Sequence, residues 1–280
     1  MSNPRPLRMS DSDNAGGAPT AAWPTVRFSD GSSTVMDDML TAEGPVEFRL
    51  KNVPIAVLMR TPGRDRDLGL GFLISEGIVL GPEEVAAISP VEGATTGDRY
   101  QVDLADGVEI DPEQFRRNVF ASSSCGVCGK ASIDAVLVSS RPLPVGPVVS
   151  PGFLTGLPSK MRDAQEQFAL TGSLHAAAAF RPSGELVVIA EDVGRHNAVD
   201  KVIGSLAETR WPIGEIVLMV SGRIGFEIAQ KAAVAGIPFI AGVSGASSLA
   251  AELGVQTGLT VAGFVRDDTF NVYSGPHRIG

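Results

Sequence analysis

Cysteine is scarce in this chain, with two in 280 residues. That excludes a disulfide-stapled miniprotein, and at this length at least one full hydrophobic core is available instead. Long apolar runs are missing: no stretch approaches the roughly 18 uninterrupted apolar residues of a membrane span. The N-terminus, MSNPRPLRMSDSDNAGG, has no apolar run behind its arginines. Neither a secretory signal nor a membrane anchor is read there, so the expected location is the cytoplasm, without a membrane partner. Positive charge is in deficit, with 23 Lys and Arg against 32 Asp and Glu, a net charge of -9 and a pI near 4.9. Such a balance argues against a general nucleic-acid binder, although it leaves room for a local basic pocket. There is no Walker P-loop, and no G-x-G-x-x-G follows a strand. Ordinary nucleotide hydrolases and dinucleotide dehydrogenases are therefore disfavoured.

What is present is a soluble composition, 44% hydrophobic and 20% charged, with distinct regions along the chain. Residues 1–22 are rich in Ser, Asp, Gly, Ala and Pro and read as a disordered tail. Residues 23–120 read as a small α+β part. Val26-Arg27-Phe28, Val46 to Leu50, Ile55 to Met59 and Arg99 to Leu104 have strand character, and Asp106-Gly107 carries a hairpin signal. A helix is predicted over 67–77, with Leu70, Leu73 and Ile74 on one face and Gly77 as terminator. Gly69 and Gly71, inside it, count against helix. Residues 121–150 read as a mobile cysteine loop and linker, because Ala121 to Gly129 contains no side chain larger than valine and Pro142, Pro144, Pro147 and Pro151 follow.

Residues 151–280 are more regular. A helix is predicted from about Ser159 to Leu170, ending at Gly172, with Met161, Ala164 and Phe168 inward. A hairpin follows at Ala176 to Ala190, and then strand and helix alternate to Val265. A Glu227-to-Lys231 pair is expected on the outer face of one of these helices. Alternation with continuous apolar strands marks a mostly parallel sheet covered on both faces, so the fold class is α/β.

Ligands of open α/β sheets bind beyond the carboxyl ends of the strands. Here those ends carry Glu191 to His196, Ser221-Gly222-Arg223, Ser244 to Ser248 and Arg266-Asp267-Asp268. Arg195, Arg223 and Arg266, with helix-start N–H groups, would together hold a phosphate or pyrophosphate. Read blandly, each loop is a helix cap with a surface arginine.

Cys125 and Cys128 would fall at this spacing by chance about one time in 140. A disulfide across so short a loop removes little chain entropy. Zinc on Cys125, Cys128, His175 and His196 is not expected, since the histidines lack close pairing, and His175 lies outside the H-x-E context of a zinc deaminase. Redox exchange and sulfur carriage remain, both needing an accessible thiolate near a cation such as Lys130. His196, beside Arg195 in a strand-end loop, is the better site candidate among the histidines. His175 reads as a structural residue of the hairpin.

Ser123 to Lys130 (SSCGVCGK), Glu191 to Lys201 (EDVGRHNAVDK), Ser221-Gly222-Arg223, Gly263 to Arg266 and Asn271-Val272-Tyr273 resemble FdhD, the formate dehydrogenase accessory sulfurtransferase family. Thr61-Pro62-Gly63 and Gly71 to Gly77 fit its N-terminal half. Ser173 and Ser244 to Ser247 depart from the family pattern. The resemblance implies a cytidine-deaminase-like three-layer domain without its zinc site. It implies a sulfurtransferase that accepts persulfide sulfur from a cysteine desulfurase on Cys125, with Cys128 beside it. The sulfur passes to the molybdenum cofactor, as bis-molybdopterin guanine dinucleotide, for formate dehydrogenase. It assigns Phe264, Val265, Arg266, Asp267, Asp268 and Thr269 to the guanine nucleotide. The strand-end reading adds Arg195, His196, Ser221, Gly222 and Arg223. A homodimer would match a cofactor with two guanine dinucleotide arms. A non-catalytic cofactor-binding chaperone and a dithiol redox protein are the competing readings.

Overall fold

The computed structural model describes residues 17–91, 93, 98–112 and 143–280. The first sixteen residues of the expected tail and the whole run from 113 to 142, with Cys125, Cys128 and Lys130, lie outside the described residues.

The chain opens with an antiparallel ribbon, β1 (Thr20–Ser29) and β2 (Ser32–Thr41). Apolar side chains stand out on both faces, with Trp23 57%, Phe28 79% and Val35 77% exposed. A two-stranded ribbon carries no core of its own, and this one is tethered at its base by Thr41 Oγ1, which reaches Thr171 and Ser173. Next come β3 (Gly44–Leu50), β4 (Val53–Arg60), α1 (Asp65–Ser75), β5 (Val85–Pro90) and β6 (Asp98–Leu104). Their sheet has the order β4-β3-β6-β5, with β3 and β6 parallel and the outer pairings antiparallel. Asp106-Gly107 forms a turn, with Gly107 at φ 82, but no returning strand follows among the described residues.

The remainder supplies α2 (Pro151–Asp163), α3 (Glu166–Thr171), β7 (His175–Phe180), β8 (Leu186–Asp192), α4 (Arg195–Ala207), β9 (Val217–Val220), α5 (Phe226–Val234), β10 (Phe239–Gly242), α6 (Ser248–Thr257), β11 (Thr260–Arg266) and β12 (Thr269–Ser274). Six strands form one sheet in the order β12-β11-β10-β9-β7-β8. β9, β10 and β11 are mutually parallel and β8 runs with them, while β7 and β12 run against. Alternation along β7 shows how the sheet is covered on both faces. Ala177 and Ala179 belong to the core shared with α1, α4, α5 and the four-stranded sheet, whereas Ala176, Ala178 and Phe180 pack with Leu154, Leu157 and Met161 of α2. Among the described residues no helix is long and apolar enough to cross a membrane.

Two expectations are corrected. The helix predicted near 159–170 is two helices. Ser150 caps the first, its Oγ accepting from Phe153 N, and Pro151 takes the first helical position, where its missing N–H costs nothing. The second begins where Glu191 of β8 accepts from the N–H groups of Gln167 and Phe168, a cap no local pattern could announce. The Glu227–Lys231 pair is not on the outer face. Lys231 is buried, its Nζ donating to Ser75 Oγ (2.8 Å), Asp200 Oδ2 (2.9 Å) and Glu76 Oε1 (3.0 Å), while Glu227 turns to His196.

The interior glycines of α1 have a packing reason. A Cβ on Gly71 would stand 2.6 Å from the carbonyl carbon of Asp200 and closer still to its oxygen. One on Gly204 would stand 2.8 Å from the carbonyl carbon of Asp67. Helices α1 and α4 thus touch backbone to backbone, which joins the two parts of the chain in one core.

Candidate functional site

The strand-end loops are stitched to one another. Val243 N donates to Val220 O, Ile224 N to Gly245 O, and Ser247 N to Ile224 O, so the turns after β9 and β10 run side by side beyond the sheet. The β11–β12 hairpin is fastened to them by Phe264 N on Ser244 O and Arg266 Nε on Val243 O. Because β7 runs antiparallel to β9, its first residue, His175, lies at this same end, opposite Asp192.

A cleft of about 610 Å³ opens here, walled by Met161, Arg162 and Phe168 from the helices and reaching His175, Ser221 and Val243 at the strand ends. The Arg162 guanidinium lies 3.8 Å over the Phe168 ring. Ser221 Oγ accepts from Ala176 N at 2.9 Å and lies 3.4 Å from His175 Nδ1. A Cβ on Gly222 would be 3.5 Å from both Arg195 Cδ and His175 Nδ1, so the missing side chain leaves these two residues side by side. Arg195 Nε is buried without a hydrogen-bond partner among the described residues. Burial lowers the pKa of His175, and the charges of Arg195 and His196 lower it further against the pull of Asp192. Its imidazole is therefore the neutral form near pH 7.

The predicted site residues divide accordingly. Ser221 lines the cleft, and Arg195 and Gly222 flank it at His175. Arg223 is exposed and makes no hydrogen bond or ion pair among the described residues. His196 instead reaches Glu227 Oε2 at 2.9 Å, and this bond holds the Glu227 carboxyl below the usual range. In the hairpin, Phe264 is 42% exposed at φ 53, its ring set against Gly245. Val265 is wholly buried, so its side chain belongs to the core. Arg266 lies 5.6 Å over the Phe264 ring, and Asp267, Asp268 and Thr269 are exposed at the tip.

The chain matches the model of the FdhD/NarQ family over residues 41–280. It belongs to that family. It is 47% identical over 263 residues to a protein of Streptomyces coelicolor named sulfur carrier protein FdhD, spanning 91% of this chain and 93% of the relative. The protein of the same name from Mycobacterium tuberculosis is 46% identical over 253 residues, 86% of this chain and 92% of its own. A solved structure of a proposed formate dehydrogenase accessory protein from Desulfotalea psychrophila superposes with a TM-score of 0.75 at 23% identity, covering 94% of this chain and 100% of that one, which speaks for the fold.

Within this FdhD/NarQ chain, the run from Glu191 to Lys201 holds the site in place more than it lines it. Asp192 Oδ1 accepts from Gly194 N and Asn197 Nδ2, and its Oδ2 from Lys201 Nζ (2.7 Å) and Thr61 N. Lys201 Nζ also donates to Thr61 O and Asn197 Nδ2 to Met59 O. Those bonds tie the Thr61-Pro62-Gly63 turn to the β8–α4 junction. His175, which reads from sequence as a structural residue of the hairpin, lines the cleft. A hairpin strand antiparallel to a parallel sheet must start at the carboxyl ends, and that was the available signal.

Proposed function

We propose that this chain is a sulfur carrier in formate dehydrogenase maturation, one that loads sulfur on Cys125 and binds the guanine dinucleotide part of the molybdenum cofactor as its substrate. The sulfur half rests on the names of the relatives and on Cys125 and Cys128 being the only thiols. The cofactor half rests on one observation. At the strand ends, the Arg195 guanidinium, with a buried N–H lacking an acceptor among the described residues, stands beside His175 and a residue without a side chain, Gly222, where a phosphate oxygen can approach. Arg162 on Phe168 and Arg266 on Phe264 offer further cations and ring faces at the cleft wall and the neighbouring hairpin.

The chemistry balances with the two cysteines alone as carriers. Cys125 thiolate attacks the outer sulfur of the persulfide on a cysteine desulfurase. The sulfur–sulfur bond there breaks, and the desulfurase cysteine leaves as thiolate. Cys128 thiolate then attacks the inner sulfur of the Cys125 persulfide, forming a Cys125–Cys128 disulfide and expelling hydrosulfide, the ligand delivered to the cofactor. An external dithiol returns the two electrons that restore both thiols.

Intact-mass spectrometry before and after addition of desulfurase and cysteine tests the loading step. Wild type should gain about 32 Da, the mass of one sulfur, removable by reductant, and Cys125→Ala should gain none. Labile sulfur on Cys125→Ala would overturn the assignment. No gain on wild type would leave a cofactor-binding chaperone as the reading.

A further inference from the structure

Three features outside the proposed chemistry stand out: the buried Lys231–Asp200 cluster, the exposed β1–β2 ribbon, and His175. The first is sealed from solvent, and nothing in the structure says what covers the second. His175 faces a cleft, has a partner that can serve either of its charge states, and sits beside an arginine with a donor unmet among the described residues. We propose that His175 is a direct ligand of the anion bound in this cleft and that its imidazole shifts toward the protonated form as the anion binds. The proposal deepens the reading of the cleft as a pyrophosphate site and rests on it.

The groups around the ring decide its charge. From α4 come Arg195 and His196, both of which oppose protonation. From β8 comes Asp192, the one carboxylate among the described residues that favours it, and this carboxylate is already committed to Lys201, Asn197, Gly194 and Thr61. From the β9 end comes the neutral Ser221, and from α2 the cleft wall adds Arg162, another cation. An empty cleft is thus cationic and half-buried, a place where imidazolium is disfavoured. A doubly charged pyrophosphate beside Arg195 reverses that field. Neutralising the guanidinium and supplying an acceptor for the ring makes the imidazolium the favoured form.

Ser221 allows the change without rearrangement. Its Oγ accepts from Ala176 N, which leaves one hydroxyl hydrogen and one lone pair. The hydroxyl donates to Nδ1 when the ring is neutral, placing the ring proton on Nε2, the nitrogen left for a ligand. When Nδ1 gains the proton, Ser221 Oγ accepts it. The Nε2–H donor persists in both states, so the anion contact and the added proton occupy opposite edges of the ring.

The test uses the full-length protein and P1,P2-diguanosine pyrophosphate, a probe whose pyrophosphate stays doubly charged through the neutral range. Calorimetry at pH 7 in buffers of different ionisation enthalpy reads proton uptake directly. Wild type should take up a fraction of a proton per ligand at pH 7, and its affinity should fall as pH rises from about 5.5 to 8, by at most about tenfold per pH unit. His175→Gln retains an amide donor that does not titrate. It should bind with a buffer-independent heat and a flat pH profile, whereas His277→Gln should behave as wild type. Ring NMR of wild type provides a readout independent of any variant, with the His175 resonance titrating at higher pH in the complex than in the free protein. Binding with no proton uptake, or uptake that persists in His175→Gln, overturns the proposal and leaves the pyrophosphate reading intact. Absence of binding by wild type overturns both.

Discussion

Replacing Gly71 by alanine should destabilise this protein even though alanine is the better helix former. In a free helix interior the exchange stabilises by about 1 kcal/mol. Here the new Cβ meets the backbone of α4, 2.6 Å from the Asp200 carbonyl carbon and 2.9 Å from its Cα. Carbon atoms pack at roughly 3.5–4.0 Å, so the helices must part by about 1 Å along a contact that both parts of the core share. Overpacking costs about 1–3 kcal/mol where side chains can yield, and more where they cannot. Two backbones cannot yield by changing rotamer, so the gross cost lies at or above the top of that range and the net loss is about 2 kcal/mol or more. Gly156→Ala in α2 is the matched control. Nothing among the described residues lies within 4 Å of its Cβ position, so the propensity gain of about 0.5–1 kcal/mol should come through. Urea unfolding followed by circular dichroism, with unchanged slopes, reads both as shifts of the midpoint. Gly71→Ala as stable as wild type, with Gly156→Ala behaving as expected, would refute the close-packing argument.

Two further expectations concern buried charge. Burial works against the Lys231 ammonium, but Asp200 and Glu76 outweigh it and hold the lysine pKa above its ordinary value. Lys231→Ala leaves the buried Asp200 carboxylate with the Ser75 hydroxyl as its remaining side-chain donor among the described residues and the Glu76 charge against it, so unfolding free energy should drop by about 3–5 kcal/mol and recover in part when Asp200→Asn removes the charge. A loss below about 1 kcal/mol would contradict this account of the cluster. For Glu227 the bond from His196 comes first among the causes that depress its carboxyl pKa. A depressed carboxylate contributes stability above its unfolded value of 4.5, lost as pH falls through the lower folded value. His196→Ala should therefore lose stability less steeply than wild type on acidification below pH 4.5, and parallel acid limbs would show that the pair contributes nothing.

The α/β character, the order of strands and helices after Phe180, and the strand-end location of the cleft were legible because each follows from local periodicity and chain direction. Helix α1 was legible with a reservation about Gly69 and Gly71. The reservation was correct about propensity, but packing reversed its meaning, since a Cβ at either position meets another element. Ser221, Gly222 and Arg195 could be named because they follow strands directly.

What no pattern along the chain could decide is which distant groups meet. Thr61 N donates to Asp192 Oδ2 and Thr61 O accepts from Lys201 Nζ across more than 130 residues of sequence, and Ser75 Oγ accepts from Lys231 Nζ across 156. Glu227 and Lys231 have the spacing of a surface pair, yet a second helix and a buried carboxylate take them inward. His196 reads from sequence as the better site candidate and His175 as structural, yet β7, entering antiparallel, carries His175 to the cleft while Glu227 draws His196 aside. Spacing records which residues share a face of one element. Whether that face meets water, a neighbour or a ligand depends on contacts made only when the elements pack.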